Sequence, residues 1–201
     1  EQSGHSGNYG YLDQTAALKW IQRNIARFGG DPAKVVVTGQ SAGAGSVVQQ
    51  IFSPLAKGLF RGAVMWSGCN FAGDNTPLAK AEAVGVEIQK ALKADSLDGM
   101  RQIPADRILA IQAESQVGVS VTGFRTGGII DGYFAPKPRA AILEAREFND
   151  VPMIAGFTHD EGNIATKQAK TVAEYRALAA KAFGDAAEAF LKLYPVTDDA
   201  G

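Results

Sequence analysis

The stretch VVVTGQSAGAGSV, residues 35–47, sets Ser41 between Gly39 and Gly43, where a β-branched run gives way to small, helix-compatible residues. A serine hydroxyl becomes a useful nucleophile only when a base takes its proton and N–H donors hold the oxyanion it creates. A turn from strand to helix serves the second need, because the helix N-terminus presents unpaired N–H groups and a positive dipole end. Glycines at 39 and 43 carry no Cβ, so strand and helix can close on each other and a strained turn is permitted. The N–H of Ala42, directly after the serine, is the expected oxyanion donor. The plainer alternative is a tight turn whose serine only caps the helix.

Such a serine needs an acid and a histidine, which in α/β-hydrolases follow it in that order. VPMIAGFTHDEGN, residues 151–163, places Asp160 and Glu161 just past an apolar run. The chain holds two histidines, His5 and His159. His5 precedes the serine, and His159 stands too near both Asp160 and Glu161 in sequence for either carboxylate to orient it. They read as a loop histidine and a surface histidine, and neither is expected to be the base.

The elements that must hold these groups follow from periodicity and turn signals. Residues 11–28 predict a helix with Ala17, Trp20, Ile21, Ile25 and Phe28 on its apolar stripe, ended by Gly29 and Gly30. Val35–Thr38, residues 62–68 and residues 151–157 predict three strands buried on both faces, as in a parallel sheet. Ala42–Phe52 predicts a helix halted at Ser53-Pro54. Thr76-Pro77 opens a helix with Leu78, Ala81, Ile88 and Leu92 on one stripe, and Pro104 opens another carrying Ile108, Leu109 and Ile111. Residues 127–138 are rich in breakers and read as irregular, followed by a helix at about 139–147 and a helical tail from Val172 to Tyr194. Strands alternating with helices, with a longer helical stretch before the third strand, indicate an α/β sheet with an insertion.

Composition sets the outer bounds. With 201 residues, 46% hydrophobic, 20% charged and a formal net charge of −1, the chain has the make-up of a globular protein with a sizeable core. The near-zero charge argues against a nucleic-acid partner. No apolar run approaches the ~20 residues that span a bilayer. Cys69 is the single cysteine, so an internal disulfide is excluded and the compartment is left unread. Beside a strand end, it reads as a small buried residue. No cluster of His, Cys and Asp has metal-ligand spacing, so neither metal nor cofactor is expected.

Taken together, GNYGYLDQTAALKWIQRNIARFGGDPAKVVVTGQSAGAGS, LFRGAVMWSGC, IIDGYFAPKPRAAIL and VPMIAGFTHDEG resemble successive blocks of the type-B carboxylesterase family, from about residue 7 to 163. That family includes bacterial and fungal esterases and lipases, and the cholinesterases. The resemblance implies an α/β-hydrolase fold, a mostly parallel sheet with helices on both faces and a helical insertion at about 70–150. Residues 1–201 would be the central part of that single domain. It implies hydrolysis of carboxylic esters through an acyl-enzyme on Ser41, with a small-molecule ester as partner and Glu161, rather than Asp160, as triad acid. Ser67 of WSG matches a family serine near the acid, although a turn serine at a strand end explains it equally well. Gln40 stands where cholinesterases carry a glutamate, which argues against choline esters. The family's catalytic histidine, in a block like GAxHGxE, and its HGGG oxyanion loop have no counterpart in these residues. Both are therefore expected outside this chain, which as it stands would be an inactive fragment. Another possibility is a non-catalytic adhesion or binding module. Such relatives have lost the serine, and retention of Ser41 and Glu161 speaks against it.

Overall fold

The computed structural model describes residues 6–116, 127–158, 161 and 169–199. Residues 1–156 and 157–201 form two compact units. The first is built on a three-stranded parallel sheet in the order β1 (Val36–Gln40), β2 (Gly62–Trp66), β5 (Met153–Gly156). Register pairs Val37 with Ala63, Gly39 with Met65 and Trp66 with Gly156. Side chains alternate across a strand, so Val37, Gly39, Ala63 and Met65 share the face that receives helix α2 (Ala42–Phe52). That helix is buried nearly all round from Val47 to Phe52. Val47, Val48, Ile51 and Phe52 form the core with Ala63, Met65, Phe60, Ile142 and Leu18 of α1 (Tyr9–Asn24).

The sequence places these strands correctly but not their burial. Val36 is 53% exposed, Met153 45% and Ile154 59%. Among the described residues β1 and β5 are the two edges of the sheet, and no element covers the face of Val36, Thr38 and Trp66. Only β2 has the buried character expected of all three.

The expected stripe of α1 is corrected in part, since of its residues Ile21 does pack against the core. Trp20 and Phe28 are exposed and lie against each other, with ring centroids 6.0 Å apart. The face turned inward runs through Tyr11, Thr15, Leu18 and Gln22, a helical i, i+4, i+7, i+11 series. Half of it is polar because it carries hydrogen bonds, so apolar periodicity overlooks it. Thr15 Oγ1 donates to Gln50 Oε1 (2.8 Å), and Gln22 Nε2 donates to the carbonyls of Pro32 and Leu59 (both 2.9 Å). The helix ends in a 3-10 turn at Ile25–Phe28, closed by Gly29 at φ 81°, as its glycine signal predicts.

The stretch between β2 and β5 holds α3 (Leu78–Leu92), α4 (Leu97–Arg101), α5 (Ala105–Gln116) and α6 (Arg139–Glu144). Of the two apolar stripes expected there, only Ala81 and Ile111 are buried, while Leu78, Ile108 and Leu109 are exposed. Thr76-Pro77 is a short strand, β3, directly before α3, and it pairs in parallel with β4 (Ile129–Ile130) inside the segment read as irregular. Asn8 reaches the same place from the start of α1. Its Nδ2 donates to Ile129 O and Asp131 Oδ2 (both 2.8 Å), and its Oδ1 accepts the Ile129 N–H (2.9 Å).

The second unit contains α7 (Val172–Phe183) and α8 (Ala187–Leu193), broken at Gly184 (φ 51°) within the tail read as helical. Thr171 caps α7 by accepting the Glu174 N–H, and Phe183 stacks on Phe190 with centroids 4.2 Å apart.

Candidate active site

Ser41 is the single residue between β1 and α2, at φ 53° and ψ −117°. An L-residue rarely adopts that backbone, at a cost of about 1–3 kcal/mol, and it persists only where the surroundings over-determine it. Here they do. The Ser41 N–H donates to Trp66 O (2.9 Å), prolonging the parallel ladder by one residue, and its carbonyl accepts the Gly45 N–H (3.0 Å), opening the helix. A Cβ on Gly39 would overlap the Gly43 carbonyl, so strand and helix backbones are in direct contact below the serine. A Cβ on Gly43 would meet nothing within 4 Å. The glycine pair is thus asymmetric: Gly39 gives up its side chain to the backbone of Gly43, not the reverse.

The Ser41 side chain makes no capping hydrogen bond to α2. The capping alternative therefore lacks its defining contact. The serine is exposed at the carboxyl end of the sheet, where open α/β sheets bind ligands. Ala42 is the first residue of α2, so its N–H belongs to the helix-terminal set without an intrahelical acceptor. Gln40, the last residue of β1, is exposed and pairs in register with Trp66.

Ser67 repeats the local geometry one strand over. It follows β2 directly, has φ 53°, and its N–H donates to Gly156 O (2.8 Å). Gly68 after it was not singled out from sequence, although it stands in the WSG that was. A Cβ there would overlap the Ser41 carbonyl oxygen and lie 2.9 Å from Ala44 Cβ. Its only advance signal was a glycine following a serine at a strand end.

Gln40, Ser41, Ala42 and Ser67 thus lie at the carboxyl ends of adjacent strands in the first unit. Glu161 belongs to the second, where its Oε1 accepts the Thr158 N–H (2.9 Å). His5, His159 and Asp160 lie outside the described residues. Among the described residues no three His, Cys, Asp or Glu side chains cluster in a way that could hold a metal ion. None of their helices is long and apolar enough to cross a membrane.

The profile of the carboxylesterase family matches residues 1–193. The chain belongs to the carboxylesterase family. Among its relatives, the fumonisin B1 esterase of Sphingopyxis macrogoltabida is 36% identical over 203 residues, covering 98% of this chain and 36% of that protein. Human cocaine esterase is 35% identical over 162 residues, covering 78% of this chain and 27% of that protein. A solved PNB esterase superposes with a TM-score of 0.69 at 30% identity, covering 96% of this chain and 42% of its own. A carboxylesterase of Geobacillus stearothermophilus superposes with a TM-score of 0.70 at 30% identity, covering 95% and 40%. These likenesses make the parallel sheet and its helices part of an α/β-hydrolase fold, as the carboxylesterase resemblance implies. The chain spans well under half the length of these carboxylesterase relatives.

Proposed function

We propose that the protein is a serine hydrolase of carboxylic esters and that Ser41 forms its acyl-enzyme. The observation that carries this reading is the backbone of Ser41, held at φ 53° between β1 and α2 with no capping bond from its side chain. Strain maintained without a capping function is the pattern of a nucleophile turn. Ser41 Oγ attacks the ester carbonyl, and a tetrahedral oxyanion forms. The Ala42 N–H and the dipole of α2 stabilise it, together with donors from parts of the enzyme beyond these residues. A histidine, also beyond these residues, takes the serine proton and passes it to the departing alcohol. Glu161 orients that histidine and balances its charge. Ser67, at the end of β2, takes the supporting role that the carboxylesterase resemblance gives to its matching serine. Water then releases the acid product and frees the serine.

The names of the relatives point to unlike esters, fumonisin B1, cocaine and acylcarnitine among them. They do not select a substrate for this chain. Gln40 offers no negative charge next to the nucleophile, which favours neutral esters over choline esters. The deciding experiment is labelling of the whole enzyme with a fluorophosphonate. Wild type should carry one adduct, on Ser41, and Ser41→Ala none, whereas an adduct on another residue would overturn the assignment.

A further inference from the structure

Arg139, the first residue of α6, is 8% exposed, yet no oppositely charged side chain forms a close ion pair with it among the described residues. Its guanidinium instead gathers neutral acceptors from one segment. Nη1 donates to the carbonyls of Asn70 (3.1 Å) and Gly73, and Nη2 donates to Asn75 Oδ1 (3.3 Å). The Arg139 backbone N–H donates to Asp74 Oδ1 (3.2 Å). The same guanidinium lies over the Phe52 ring, 5.5 Å from its centroid. Asn75 carries the connection onward, since its Oδ1 accepts from Gln49 Nε2 (2.6 Å) and its Nδ2 donates to Gln49 Oε1 (3.1 Å). A Cβ on Gly128 would collide with both amides, so the loop before β4 closes tightly over them. Burial pushes the guanidinium below its ordinary range, while Asp74 and then Tyr11 pull it back.

Both ends of this network lead to the nucleophile turn. Phe52 and Gln49 belong to α2, the helix that starts immediately after Ser41. The segment 70–75 begins two residues beyond Gly68, where a Cβ would overlap the Ser41 carbonyl oxygen. One buried cation therefore ties the far end of α2 to the segment that follows Gly68. A buried Arg could hold a loop with no bearing on chemistry. This loop begins two residues after Gly68, which lies against the Ser41 carbonyl, and the helix is the lever arm, about 16 Å long over eleven residues.

We propose that Arg139 is a positioning residue for ester hydrolysis, acting through Asn75 and Gln49 on α2 and through residues 70–75 on Gly68, to hold Ser41 in its attacking orientation. The proposal rests on the reading of Ser41 as nucleophile. Without the guanidinium, the segment after β2 loses three donors at once and Gly68 is free to move off the Ser41 carbonyl. Displacement of a nucleophile by about 1 Å costs on the order of 10²-fold in rate.

The test uses the full-length enzyme with Arg139→Met and Asn75→Ala, the second leaving Arg139 its two carbonyl acceptors. Sites are titrated with a fluorophosphonate, and the acylation rate constant per titrated site is read from the burst with a nitrophenyl acetate. Arg139→Met should lower that constant about 10- to 100-fold with KM changed less than about threefold, and Asn75→Ala should move it the same way by less. A purely structural role would lower the melting temperature and the number of titratable sites but leave the rate per site within about twofold of wild type, and that result overturns the proposal. If Arg139→Met does not fold, Asn75→Ala decides by the same criterion. Ser41→Ala is labelled in parallel. An adduct that persists there overturns the nucleophile reading, whereas its loss beside wild-type acylation in the network variants overturns only the role of Arg139.

Discussion

Gly68 lies against Ser41 so closely that a Cβ on the glycine would overlap the serine carbonyl oxygen. The two residues stand beyond the ends of neighbouring strands, and the Ser41 N–H is already fixed to Trp66 O at 2.9 Å. The turn is therefore held from the β2 side as much as by its own glycines. Gly68→Ala should displace the turn and lower kcat/KM for a nitrophenyl ester by more than about tenfold. Gly43→Ala, whose Cβ meets nothing within 4 Å, should change it far less. Equal losses in both, in variants shown by circular dichroism to be folded, would contradict the asymmetry.

Ser41→Ala in the full enzyme should reduce ester turnover by about 10⁴-fold or more while leaving the unfolding midpoint near that of wild type. Alanine carries the same backbone cost at φ 53° as serine, so the substitution leaves the strain of the turn in place. Turnover measured against an uncatalysed control, with urea unfolding of both proteins, checks the two outcomes together.

Glu161→Gln should lower kcat by about 10³- to 10⁴-fold, as neutralising a triad acid does. Asp160→Asn should cost far less, and His5→Ala and His159→Ala should leave turnover near wild type. Steady-state kinetics on the four variants ranks them. A large loss in either histidine variant would place the general base within this chain.

Neutral esters should be cleaved with higher kcat/KM than matched choline esters, because Gln40 carries no charge at the exposed end of β1. Gln40→Glu should shift that ratio toward the choline ester by about tenfold, the effect of one partly desolvated carboxylate near a quaternary ammonium. An unchanged ratio would mean that the side chain at 40 does not face the alcohol group.

Asn149 ties the approach to β5 onto the end of α2, its Nδ2 lying 3.0–3.1 Å from the carbonyl oxygens of Gln50, Ile51 and Ser53. Those carbonyls include helix-terminal groups that need partners when buried. Asn149→Ala should cost about 1–3 kcal/mol of stability with little change in kcat. Urea unfolding beside an esterase assay checks both.

What the sequence determined by itself was local. The β-branched run, Ser41 with its glycines and the small residues of α2 lie within thirteen positions, so turn chemistry and periodicity were enough to place strand, turn and helix. Gly29 ending α1 and Ser53-Pro54 ending α2 were legible for the same reason. Tertiary structure decided the inward face of α1, which is half polar because Thr15 meets Gln50, thirty-five residues away. Among the described residues it left β1 and β5 at the sides of the sheet, since strand neighbours are not written in a strand. It decided that Gly68 backs Ser41 and that Arg139 is buried on Asn70, Gly73 and Asn75. Apolar periodicity reports which residues avoid water. A buried polar side chain exists only through a partner, and when that partner lies tens of residues away only the folded chain brings the two together.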